Sequence, residues 1–153
     1  MDRSPLSEDA SEVAAAGGPV DKFRVTLAIY HHELEPEAVS ARLGVPPTKA
    51  HRRGESRRPG SPPLPTGGWF LKREALPPSL PSSAIVELLS ALPTDPAFWE
   101  ALRRDYNVQI RCAVHTDGWN RGFGLSPTAI GLIAATGIEI DFDLYFYGSE
   151  YEA

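Results

Sequence analysis

Residues able to bind or react fall on alternate positions of three apolar runs. Phe23, Val25, Leu27 and Ile29 are separated by Arg24, Thr26 and Ala28, with Tyr30 and His32 continuing the polar alternation. Val108, Ile110, Cys112 and Val114 alternate with Gln109, Arg111, Ala113 and His115. Ile138, Ile140, Phe142, Leu144 and Phe146 alternate with Glu139, Asp141, Asp143, Tyr145 and Tyr147. Side chains alternate across a strand, so three such runs in one sheet put Tyr30, His32, Arg111, His115, Asp141, Asp143 and Tyr145 on one face. Tyr, His and Arg among carboxylates suit contact with a protein or a small ligand, because aromatics and Arg dominate interface energetics. The competing reading is a solvated face with cross-strand ion pairs such as Arg24 with Asp143.

Sharper chemistries can be weighed against spacing. His32, His115, Asp141 and Asp143 would form a two-His, two-carboxylate set for a divalent metal. His31 and His32 are adjacent, however, and point to opposite faces of a strand, and no HExxH, CxxC or His-rich helical pattern occurs. No metal and no cofactor are expected. The same four residues are the alternative for a small acid/base enzyme, with His115 and Asp117 as the pair beside Trp119 and Arg121. His115-Thr116-Asp117-Gly118 reads equally well as a strand entering a turn. There is no G-x-S-x-G elbow for a serine nucleophile, and Cys112 falls on the apolar side of its run. No G-x-x-x-x-G-K phosphate loop occurs; Gly118, Gly122 and Gly124 flank Trp119 and Phe123 in a turn.

Charge is unevenly spread. Lys49–Arg58 holds five basic residues and one acid, whereas Glu139–Glu152 holds five acids and no Lys or Arg. Such polarity orients a partner. Arg52, Arg53 and Arg57 could clamp phosphates, but no aromatics interleave with them for base stacking, and the net charge is −5. Nucleic acid is therefore not the expected partner; a protein is, and the Arg loop fits docking on an acidic partner or on this protein's own acidic edge equally well. Trp69, beside the Pro-rich loop, and Trp119, in a Gly-flanked loop, complete the expected contact set, with Trp119 the better exposed anchor.

With 153 residues the chain suits one domain that buries roughly two-thirds of its unfolded surface. No apolar run approaches the ~20 residues that span a bilayer. The first residues lack the basic-then-apolar layout of a secretion signal, and a single cysteine has no internal disulfide partner, so a cytoplasmic setting is expected.

These residues must be held by elements that the sequence also marks. A pattern occurs twice: Leu34-Glu35-Pro36 runs on to Gly44, and Leu125-Ser126-Pro127 runs on to Gly137, each after a strand-like run. Proline suits the first helical turn, and glycine suits the left-handed position after the last. Val39 and Leu43, then Ile130, Ile133 and Ala134, supply the expected inward stripes. Between the copies, Ile85, Leu88, Leu89 and Leu92 mark an amphipathic helix, and Asp95-Pro96 opens another bearing Phe98, Trp99 and Leu102. Residues 1–20 read as a disordered acidic tail, 21–149 as the domain, 56–68 as a Pro/Gly-rich loop within it, and 150–153 as a short C-terminal tail. A short strand is expected around Trp69–Lys72. The order predicts an α/β (α+β) fold, economically a ferredoxin-like split β-α-β sandwich with a helical insertion, its first and third strands central.

The L-x-P-x-x-V helix start, R-x-G-E at Arg52/Arg53-Gly54-Glu55, G-x-W at Gly67–Trp69 and the closing I-x-I-D-x-D-x-Y run of Ile138–Tyr145 occur in a set order. Together they resemble the DUF4279 family of bacterial domains of unknown function over about residues 23–147. The resemblance implies a fold and no activity. The resulting expectation is a non-enzymatic binding module that recognises a protein through its open sheet face and basic loop; an immunity-type inhibitor is one form of it, by analogy alone.

Overall fold

Alternation in the first run builds the centre of a five-stranded sheet. The structure, a computed structural model, describes residues 17–148. The expected acidic tail lies outside the described residues as far as residue 16, as does the expected C-terminal tail. Gly17–Val20, assigned to that tail, are instead held: Gly122 N–H donates to the Gly18 carbonyl, and Val20 is buried.

The chain runs β1 (Lys22–His31), α1 (Pro36–Leu43), β2 (Lys49–His51), β3 (Gly67–Ala75), α2 (Pro81–Ser90), α3 (Pro96–Asp105), β4 (Asn107–Thr116), α4 (Pro127–Thr136) and β5 (Ile140–Phe146). Strands are ordered β2-β3-β1-β4-β5. All neighbours are antiparallel except β4 and β5, which are parallel. The α+β class and the pairing of the first and third expected strands, β1 with β4, are as the sequence implies. The ferredoxin-like order would set β5 beside β1 and β3 beside β4. Here β3 fills the other side of β1, and β5 lies outside β4. Only the first half, β1-α1-β2 with β3 between its strands, is a split unit; the second is a plain adjacent β-α-β.

One face carries the core. Phe23, Val25, Leu27 and Ile29 of β1, Trp69 and Leu71 of β3, and Ile110, Cys112 and Val114 of β4 pack under the helices with Ile85, Leu88, Trp99 and Leu102. Both repeat copies end as expected: Pro36 and Pro127 open helices, and Gly44 and Gly137 close them at φ 79° and 64°. Ser126 caps α4 by accepting from the Ala129 N–H at 3.2 Å, and Asp95 caps α3 by accepting from Ala97. The α4 stripe differs from expectation. Ala129, Ile133 and Thr136 face inward at i, i+4 and i+7, which turns Ile130 to solvent. β5 differs too: Ile140 packs partly against the core, but Phe142, Leu144 and Phe146 stay exposed.

Candidate functional site

The helix-free face of the sheet is concave at its centre. Strand register arranges its side chains in rows. Lys72, Thr26, Arg111 and Asp141 form one row across β3, β1, β4 and β5, and Glu74, Arg24, Ala113 and Asp143 form the next. On the other side of the Thr26 row lies Lys49, Phe70, Ala28 and Gln109. Small residues on β1 make the floor: Thr26 and Ala28 are buried although no helix covers them. The long side chains of β3 and β4 rise on either side.

A wall comes from the loop between β2 and β3. It folds back as a narrow hairpin, with Ser56 bridged to Pro63 and the Leu64 N–H donating to the Glu55 carbonyl at 2.8 Å. Glu55, Ser56, Arg57 and Leu64 thereby overlook the floor, and the open cleft between them measures about 490 Å³. That volume suits a small ligand or an inserted side chain. Aromatic groups brace it: the Arg111 guanidinium donates to Tyr30 Oη at 2.8 Å, and the Tyr30 ring meets Phe70 edge-on at 5.5 Å.

Five cations, Arg24, Lys49, Arg57, Lys72 and Arg111, line the cleft with two carboxylates, Glu55 and Asp143. Among the described residues, Lys49, Arg57, Lys72 and Arg111 make no ion pair, and Arg24 reaches only Glu74, at 3.9 Å. Lys72 feels the crowding. Its ammonium is held below the ordinary lysine range, first by burial and then by the charges of Arg24, Lys49 and Arg111. Among the described residues, the cleft's cations outnumber its carboxylates.

A family model for the domain of unknown function DUF4279 matches residues 21–147. The chain belongs to this family. No curated protein and no solved structure matches it.

In this DUF4279 domain the residues expected from sequence separate into several places. Tyr30, Arg57, Arg111, Asp143 and Tyr145 meet in the cleft; Asp141 follows Arg111 in its row, exposed on β5. Trp69 does not belong to any surface. It is fully buried on the helix side, its indole N–H donating to Ser40 Oγ at 3.0 Å, because the alternation of β3 puts odd residues inward. Arg52 is committed to Glu35 and Glu37 at the start of α1, at 3.0 and 2.6 Å. Those hydrogen bonds hold the Arg52 pKa up, and the Glu37 carboxyl is held down by its backbone hydrogen bond and then by Arg52. Arg53 donates to His32 Nε2, beyond the end of β1.

The residues named for the enzyme reading do not all come together. His115 lies opposite Lys22, at the start of β1, while His32 follows its last residue. Ten residues of strand, roughly 30 Å, separate the two imidazoles. His115 instead stacks on Tyr145 and Tyr147, at 4.8 and 5.6 Å, with Nδ1 on Tyr147 Oη and Nε2 buried with no hydrogen-bond partner among the described residues. Neither nitrogen meets Asp117, whose backbone N–H donates to Asp21. Among the described residues no cluster of three or more metal-ligating side chains forms. The Cys112 thiol, pushed up to about 12 by burial, is no nucleophile at neutral pH.

Trp119 is exposed as expected, but at a second hollow of about 590 Å³, shared with Val114, Phe123, Leu144 and Phe146. Arg121 sits there too and donates to the Gly17 carbonyl, tying down the entering chain. The expected pairing of Arg24 with Asp143 does not occur; Arg24 leans toward Glu74, its register partner on β3. Sequence reasoning missed Lys49 and Lys72 as cleft residues. The parity of Lys72 was readable once Trp69 was known to face inward, but Lys49 depends on β2, which has only three residues.

Proposed function

We propose that this chain is a non-enzymatic binding module that recognises a protein partner by drawing one of its carboxylates into the open-face cleft. The observation that carries this reading is the cleft's charge: five cations against two carboxylates, four of the cations without an ion pair among the described residues, in a chain whose net charge is −5. A carboxylate accepts charge-assisted hydrogen bonds from Lys and Arg without a covalent step. Lys72 and Arg111, flanking Thr26 on neighbouring strands, are the gripping pair, and Arg57 closes from the loop. Tyr30 and Tyr145 offer flat surfaces to the residue that carries the carboxylate. The lone, buried thiol suits a reducing cytoplasm, which is where we assign the module.

The test is capture from nuclease-treated host lysate by the tagged chain and by a Lys49→Glu/Arg57→Glu variant whose fold is checked by circular dichroism. Both side chains stand at the cleft rim, so the variant reverses charge without touching the core. A stoichiometric protein held by the native chain and lost from the variant is expected. Equal retention by both would remove the cleft from the interaction, and material captured only when the nuclease is omitted would reassign the cleft to nucleic acid.

A further inference from the structure

The two edges of the sheet are built differently. β2 ends it with three residues, one of them Lys49, and short, charged edges discourage an added strand. β5 ends it with seven residues, and among the described residues it pairs with β4 alone. A row of its backbone N–H and C=O groups therefore faces outward. Its apolar side chains are only partly covered: Phe142, which meets the Phe123 ring at 6.0 Å, Leu144 and Phe146, on the helix side, are 40%, 76% and 49% exposed. The hollow beside Trp119 extends this apolar surface.

We propose that β5 is a self-association edge, where a second copy of this chain adds its own β5 antiparallel about a two-fold axis at Leu144. The sequence selects both the partner and the register. An axis normal to the sheet joins like faces, so each residue must meet one of the same parity. Centred on Leu144, Phe142 meets Phe146 of the second copy, Asp141 meets Tyr147 and Asp143 meets Tyr145. Apolar residues meet apolar ones, and no acid faces an acid. Centred on Phe142, Asp141 meets Asp143; centred on Asp143, that residue meets itself; like charges directly opposite destabilise a pair. Centred on Tyr145, only Leu144, Tyr145 and Phe146 of the strand are paired. The chosen register fuses the two five-stranded sheets into one and turns both cationic clefts to the same side.

Sedimentation velocity of the full chain tests this, with Leu144→Lys as the breaking variant and Leu80→Lys, at an exposed site on the connector before α2, as the control. The native chain and Leu80→Lys are expected at twice the monomer mass, and Leu144→Lys at the monomer mass with an unchanged circular dichroism spectrum. Cysteine crosslinking tests the register independently of that variant's folding. Leu144→Cys lies on the axis and should oxidise to a covalent dimer. Phe142→Cys should not, because the two copies of position 142 are four residues apart along the strand, roughly 13 Å, beyond the reach of a disulfide. A native chain that stays monomeric up to its solubility limit would overturn the proposal and leave β5 to a different protein or to residues 1–16 of its own chain. A dimer that persists in Leu144→Lys, or that crosslinks at Phe142→Cys and not at Leu144→Cys, would overturn it too.

Discussion

Lys72 is the residue whose titration reports on the cleft. Burial and three neighbouring cations hold its pKa below the ordinary 10.5, so the cleft loses charge at a pH where an exposed lysine keeps it. An anion binds the protonated form, and binding therefore draws a proton onto Lys72. The sign follows: affinity for an anion is full below the depressed pKa and falls as pH rises through it. A hexaglutamate peptide, fully ionised above about pH 6, is a suitable probe. Calorimetry should show its affinity declining in the alkaline range below 10.5, with proton uptake on binding. Lys72→Arg should hold that affinity to higher pH, because guanidinium keeps its charge throughout. An affinity that is flat with pH in the native chain would take Lys72 out of the binding surface.

At the scale of elements, the twice-used Pro-to-Gly helix frame can be tested against its own logic. Gly44 and Gly137 close α1 and α4 in the left-handed region, where a Cβ costs about 1–2 kcal/mol; at Gly137 it would also press on the Arg103 guanidinium. Gly131 lies inside α4 with open space around it. In denaturant titrations, Gly44→Ala and Gly137→Ala should each lose about 1–2 kcal/mol, and Gly131→Ala should gain about 0.5–1 kcal/mol. This contrast also marks what was legible in the sequence. Caps, prolines and strand alternation are local, and they gave β1, β4, every helix and the cleft face of Tyr30 and Arg111. Strand order is not local. Nothing in the alternation of β3 or β5 says which neighbour each takes, and the apolar alternation of Phe142, Leu144 and Phe146 reads as core whether a helix covers it or not. Trp69 failed for a related reason. A tryptophan beside a Pro-rich loop looks like a surface anchor until its strand's parity turns it inward, toward Ser40. Lys49 and the wall formed by the loop depend on a three-residue strand that carries no pattern of its own.

At the scale of the molecule, a cationic cleft sits in a chain of net charge −5, and the two act over different ranges. An acidic partner at a distance meets the net charge and is repelled; only near the sheet face does it meet Lys72 and Arg111. Screening separates the two effects, because the Debye length falls from about 30 Å at 0.01 M salt to about 8 Å at 0.15 M. Added salt removes the long-range repulsion while also weakening the seated contact. For the hexaglutamate peptide, stopped-flow association should therefore stay level or speed up between those two salt concentrations, while dissociation accelerates. Pairing through β5 would sharpen the effect, since two copies carry twice the net charge with both clefts on one side. In the Leu144→Lys variant, the salt-driven gain in association rate should accordingly shrink while dissociation is unchanged. A steep fall in association rate with salt would mean that the cleft's field reaches past the net charge and steers the partner in from a distance.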